Sequence, residues 1–438
     1  MLSIVPFLVA VGLAVVAGPG VAHSASPPPC ASAAGLRSFA DVLARLEGSS
    51  RSEALGRDLA AVRALEAQAA ARPNPELVVD LQDFTGSDEY AAFGQSQNTL
   101  SLSQRLEVGG RRAARVEAAE RESSVEQART GRETVRLAVA AKQGFVEVLV
   151  ARARVAVRRD GEALARRVLA DAGRREAGGA ASSVDVERAN IAVTTAALEV
   201  SAAEREAAAA AQRLSQLWGG SADELDCLDG RLPPPARLHA SESTSQGRSP
   251  GVALAEAEVE ARRADVTKAR AEALPDVEIG AGLRHLAGPD EVSVVAGLSV
   301  EVPIFDRGAG TIASAEHKLF AAQARARVAE EEAAGRAARL RQTRDGAAER
   351  ASVLASQAVP SAERAYAALS RAWREGAASS LEVLEARRTL VSLRLEQLDA
   401  TAEYHRSLVA LEGNLGAVSA ALDAPPAPPR APSAREED

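Results

Sequence analysis

Bulky core-forming side chains are scarce in this 438-residue chain. Aromatics make up only 3%, methionine occurs once and cysteine twice, although 46% of the residues are hydrophobic. A conventional globular core needs large side chains to fill its volume, so an ordinary compact enzyme domain is not expected. Alanine supplies much of the apolar total, and alanine faces suit long helices that pack closely. Proline is absent between Pro75 and Pro233, so over that stretch no imino acid forces a helix to stop. Excess positive charge is missing too: the net charge is −8, which points away from nucleic acid as a partner. Arginines are interspersed with glutamates along helical stretches, as on solvated helix faces.

A catalytic constellation is also lacking. The histidines His23, His239, His285, His317 and His405 are scattered without metal-ligand spacing. The single methionine excludes a methionine-rich cation shuttle. Gly109-Gly110-Arg111-Arg112 lacks the Lys-Ser/Thr of a phosphate-binding loop. No enzyme, cofactor or resident metal is expected, and energy for any work must come from a partner.

The first 25 residues read as an export signal. Ile4 to Ala17 is apolar but short for a bilayer span, and the small residues Ala22, Ser24 and Ala25 follow. An uncleaved anchor is the alternative. Export implies an oxidising compartment, which makes Cys30 and Cys227 a candidate disulfide. Acylation of Cys30 is the rival, and Pro27-Pro28-Pro29 in front of it is a poor lipoprotein signal.

What the chain does contain is one architecture written twice. Gly179-Ala180-Ala181-Ser182-Ser183-Val184-Asp185 is matched, 197 residues on (376 − 179), by Gly376-Ala377-Ala378-Ser379-Ser380-Leu381-Glu382. The first repeat spans 26–230, with a long helical hairpin at about 110–218. A Pro/Ser-rich linker covers 231–250, and the second repeat spans 251–420, with its helical hairpin at about 307–416. Residues 421–438 form a Pro/Ala-rich, then charged, tail. Val135, Val139, Val146, Leu149 and Ala153 keep a coiled-coil-like spacing on the first rod. About 65 helical residues make a rod of roughly 100 Å, so the helix must be an extended arm. Pro360 predicts a break midway along the second arm, and Asp160-Gly161 a matching break in the first.

At each tip, glycine ends the outgoing helix. Ser182 and Ser183, like Ser379 and Ser380, supply N-cap hydroxyls for the returning one. Asp185 and Glu382 fall in its first turn, where the helix dipole favours an anion. Any one of these residues could serve only to build a tight turn. Two copies of the same tip favour a docking surface made of Gly179, Ser182, Ser183, Val184, Gly376, Ser379, Ser380 and Leu381.

Ahead of each rod the texture changes to period-two alternation, at about 76–107 and about 276–303. Leu77, Val79 and Leu81 alternate with Val78, Asp80 and Gln82; Val292, Val294, Ala296 and Leu298 alternate with Ser293, Val295, Gly297 and Ser299. Runs of this length suit membrane β-strands, apolar towards lipid and polar towards a lumen. Hairpins packed on a soluble sheet are the bland alternative. Four strands cannot close a barrel in lipid, where open edges are forbidden. Three copies would give ~12 strands, enough for an aqueous lumen. The fold expected is therefore mainly α with a small β part: long helical hairpins forming a periplasmic barrel, with four strands per protomer in a trimeric outer-membrane barrel.

The residues also carry a resemblance. Pro73-Asn74-Pro75 before the first hairpin, Gly109-Gly110-Arg111-Arg112 opening the first rod, and Val302-Pro303-Ile304-Phe305-Asp306-Arg307 with Gly310 opening the second resemble the TolC-type outer membrane efflux protein family, as do the two Gly-x-x-Ser tips. The resemblance runs from about Phe39 to Gly416, and its compact size and Pro-Ile-Phe-Asp-Arg segment are similar to the CzcC-like, heavy-metal branch. It implies a homotrimer in outer-membrane lipid that docks through its helix tips to a periplasmic adaptor, itself coupled to an inner-membrane pump such as an RND transporter. The exported substrate would be heavy-metal cations or drugs. It also implies a periplasmic entrance closed by ionic and hydrogen-bonding links. Candidate acids are Asp185, Glu187, Glu382 and Glu385, with Arg174, Arg175, Arg371 and Arg374 as partners. A non-pore periplasmic coiled-coil adaptor or scaffold is the alternative function.

Overall fold

The computed structural model describes residues 36–88, 93–228, 231–235 and 248–418. The expected export signal, Cys30 with its expected bridge to Cys227, most of the linker and the tail lie outside the described residues.

The first repeat runs α1 (Phe39–Glu47), α2 (Ser50–Ala70), β1 (Glu76–Gln82), β2 (Gln97–Leu106), α3 (Arg111–Ala177) and α4 (Ser183–Ser215). The second runs α5 (Pro250–Glu272), β3 (Val277–Leu286), β4 (Glu291–Val300), α6 (Ala309–Val353), α7 (Val359–Arg374) and α8 (Ser380–Asn414). The expected duplication persists in backbone geometry. Gly179 and Gly376 at the tips, and Gly219 and Gly416 after the returning helices, all take the left-handed conformation.

The strands form one antiparallel sheet in the order β1-β2-β3-β4. Registers such as Val79↔Leu100, Leu100↔Leu283 and Leu283↔Val294 place large apolar residues side by side on one face. These side chains are exposed in the single chain. The other face carries Asp80, Thr99, Arg284 and Ser293 in one row. There Arg284 Nε donates to Thr99 Oγ1 at 3.0 Å. β1 and β4 each pair on one side only within the chain.

Where sheet meets rods, the arginines that open α3 act as clamps. Arg111 donates to the carbonyls of Ala271 (3.2 Å) and Leu274 (2.7 Å) at the end of α5 and pairs with Asp276. Arg112 donates to Ala70 O at 2.9 and 2.7 Å. Arg115 donates to Ala69 O and Ala71 O, both at 2.8 Å, and pairs with Glu107. Cations thus meet the carbonyl ends of both incoming helices, where the dipole favours them. Both strand pairs are thereby hung from one rod.

Midway along, α1 packs on α3 and α4 through Phe39, Val42, Phe145, Leu149 and Leu214. The Phe39 and Phe145 rings lie edge to face, 5.6 Å apart. From here towards the tips, α3 and α8 run antiparallel and are joined by an ionic ladder. Its rungs are Lys142–Glu412 (2.7 Å), Glu147–Arg406 (2.5 Å), Arg154–Asp399 (2.7 Å) and Asp160–Arg394 (3.6 Å).

Neither expected break is a break. α3 continues through Asp160-Gly161. Gly161 is buried there; a Cβ would stand 3.0 Å from Val391 Cγ2, and its carbonyl accepts from Arg387 Nη1 at 3.1 Å. That glycine serves close approach of α8. At Pro360 the arm stays helical, with a π-helical turn at Leu354–Ala358 just before it. The wider turn accommodates the missing N–H and the ring clash.

Candidate functional site

Both tips are built alike. Ala180 N–H donates to Arg175 O at 2.7 Å and Gly179 N–H to Glu176 O at 2.9 Å; Ala377 N–H donates to Ala372 O at 2.8 Å and Gly376 N–H to Trp373 O at 3.0 Å. Each bond spans the same interval in both copies, with the left-handed glycine closing the helix. Ser182 Oγ then accepts from Asp185 N–H at 3.3 Å, and Ser379 Oγ from Glu382 N–H at 3.3 Å. The carboxylates reciprocate, accepting from Ser182 N–H at 3.2 Å and Ser379 N–H at 2.7 Å. These are paired capping boxes. Ser183 and Ser380, expected as caps, are instead the first helical residues.

The copies diverge at that first residue. Ser183 is exposed, whereas Ser380 is 4% exposed and donates its hydroxyl to Asp185 Oδ1 at 2.5 Å. The second tip therefore leans on the cap of the first. The Ser380 hydroxyl, then that of Ser182, holds the Asp185 carboxyl below its ordinary pKa. Glu382 is lowered likewise, first by the backbone N–H of Ser379 and then by its hydroxyl. Beneath the tips Val168, Ala172, Ala189, Trp373 and Val383 form a buried cluster. The Arg175 guanidinium lies 5.5 Å from the centroid of the Trp373 ring and donates to Ala180 O at 3.2 Å. Val184 and Leu381, 55% and 51% exposed, present apolar side chains outward.

The eight charged residues singled out as gate candidates form no ion pair with one another among the described residues. Arg174 pairs with Asp171 on its own helix. Glu385 pairs with Arg388 at 3.2 Å. Asp185 and Glu382 are committed to caps. Glu187 is exposed. Arg371 and Arg374 are exposed beside a cleft of about 310 Å³ that Asp171, Tyr366, Ser370 and Trp373 help to line. Sequence patterning singled out neither Trp373, Tyr366 nor Asp171, whose places in the cluster and cleft beneath the tips depend on packing between the two repeats. Among the described residues no group of three or more His, Cys, Asp or Glu is placed to hold a metal ion, and no helix is long and apolar enough to cross a membrane.

Known proteins match this architecture. The family described as "Outer membrane efflux protein" matches residues 53–220 and 243–417, one stretch per repeat. The cobalt-zinc-cadmium resistance protein CzcC of Cupriavidus metallidurans is 29% identical over 356 residues, covering 80% of this chain and 82% of its own. The nickel-cobalt-cadmium resistance protein NccC of Alcaligenes xylosoxydans xylosoxydans is 31% identical over 259 residues, 59% of each chain. These relatives agree with the heavy-metal branch suggested by the Pro-Ile-Phe-Asp-Arg segment. Among solved structures, CusC superimposes with a TM-score of 0.73 at 18% identity, covering 91% of this chain and 99% of its own. The outer-membrane channel OprN gives 0.73 at 21%, covering 86% and 89%. The family and the structural neighbours are channel proteins rather than enzymes, and channels of this family are trimers working with an adaptor and an inner-membrane pump. The chain belongs to the outer membrane efflux protein family and is an outer-membrane efflux channel with a large periplasmic part.

Proposed function

We propose that three copies of this chain form the outer-membrane conduit of a tripartite system that exports divalent heavy-metal cations, acting as a passive duct without catalysis of its own. The sheet carries this reading: it has two open edges, one exposed face dominated by large apolar side chains and one predominantly polar face. Only closure with further copies satisfies those edges in lipid, and three copies bring ~12 strands together. The substrate class rests on the metal-resistance proteins to which the chain is similar.

The helical arms would close in the same way. α4 packs on α3 and carries Val184, Ile191 and Leu198 at seven-residue spacing, all exposed in the single chain. That spacing makes a coiled-coil seam for the neighbouring copy. The twin tips, with Val184 and Leu381 outermost, would receive the adaptor. Arg371 and Arg374 lack an ion partner within the protomer among the described residues, so they are available to an acid of the next copy and are assigned to closure of the entrance. Outer-membrane fractions run unheated in detergent should show a heat-modifiable trimer. Deleting the chain should sensitise cells to cobalt, zinc or cadmium. Release of soluble protein by osmotic shock would instead indicate a poreless periplasmic scaffold.

A further inference from the structure

The second repeat carries four more residues between strand and rod than the first. Leu106 ends β2 and Gly110 caps α3, an interval of four (110 − 106); Val300 ends β4 and Gly308 caps α6, an interval of eight (308 − 300). The added chain is not polar filler. Val302, Ile304 and Phe305 are 68%, 64% and 99% exposed. Three large apolar side chains uncovered within four residues make a patch of the kind that marks an interaction surface.

We infer that Val302, Ile304 and Phe305 form an anchor that inserts into the periplasmic-side phospholipid leaflet of the outer membrane. Continuity with the lipid-facing surface carries the assignment. Val302 keeps the parity of Val292, Val294, Leu298 and Val300, so it prolongs the apolar face of β4 past its last paired residue. From Val292 to Val300 that face runs ~26 Å along the strand, or roughly 19 Å of depth at a barrel tilt of about 43°, short of the ~25 Å apolar band of outer-membrane barrels. Reaching Val302 raises the depth to roughly 24 Å. The chain then turns sharply, with Ile304 N–H donating to Val302 O at 2.9 Å. Neither Ile304 nor Phe305 lines the polar cleft of Arg111, Asp276 and Asp306 beside it. At the other end of the sheet, the Phe84 and Phe93 rings lie 6.3 Å apart in the β1–β2 loop. Aromatics thus stand at both ends of the strands, the arrangement that fixes a barrel at its two interfaces.

The test is depth-dependent quenching on the full-length trimer. Phe305→Trp, and separately Ile304→Trp, is reconstituted into phosphatidylcholine vesicles with bromines at shallow or deep acyl positions. The emission of the parent, from Trp218 and Trp373, is subtracted. The expected result is a blue-shifted new indole, quenched several-fold more by shallow than by deep bromines. Phe320→Trp, on α6 roughly 16 Å along the rod from its start, should not be quenched. A water-like, unquenched emission at both positions overturns the anchor. A blue-shifted but unquenched emission also overturns it and assigns the segment to a neighbouring copy. The inference rests on outer-membrane residence and is independent of the exported substrate, so loss of metal resistance and loss of quenching are separate outcomes.

Discussion

The middle of the rods and their tips join the two repeats by different physics. In the middle, α3 and α8 are tied by ion pairs from Lys142–Glu412 to Asp160–Arg394. At the tips no such pair links the repeats among the described residues; Trp373 and its apolar neighbours do, with the Ser380–Asp185 bond above them. A ladder of charges fixes the axial register of two long helices, because a shift by one turn pulls every pair apart. An apolar patch with one hydrogen bond tolerates sliding and separation. The difference assigns a fixed waist and a releasable mouth to the same pair of rods.

The largest effect should come from breaking the waist. Lys142 is 1% exposed and pairs with Glu412 at 2.7 Å, so Glu412→Ala breaks a largely buried ion pair and should cost about 3 kcal/mol. Thermal unfolding of the trimer should then start at a clearly lower temperature. Trp373→Ala should cost about 3 kcal/mol, but confined to the mouth. Limited proteolysis near Gly178 and Gly376 should accelerate while cleavage in the α1 region does not.

The twin serines report on the mouth separately from the waist. Ser380→Ala should cost about 1 kcal/mol, whereas Ser183→Ala, at the duplicated but exposed position, should be neutral by the same proteolysis. Acid tests the same bond. The Asp185 pKa is lowered, so its contribution is complete above the ordinary aspartate value and is lost as pH falls through the lowered one. Mouth protection should therefore be flat from about pH 5 upward and fail only in stronger acid.

Much of this was legible in the chain before folding. The left-handed glycines, the Ser182 and Ser379 caps and the strand parity follow from local chemistry, so motif and periodicity report them directly. Asp160-Gly161 misled because a glycine in a helix can mark either a break or a close approach, and only the position of Val391 decides between them. The ladder stayed hidden because its partners lie far apart in the chain, as with Lys142 and Glu412. The role of Ser380 stayed hidden because duplication predicts equivalence, whereas packing of one tip on the other breaks it.

Single-channel conductance in planar bilayers separates the mouth from the waist. The parent trimer, the Arg371→Ser/Arg374→Ser double variant and the waist variant Arg154→Ser/Arg394→Ser would be compared at one salt concentration. A closed mouth above a fixed waist predicts low conductance in the parent, a several-fold rise in the Arg371/Arg374 variant and no rise in the waist variant. Equal conductance in parent and Arg371/Arg374 variant, or opening by the waist variant alone, would contradict it.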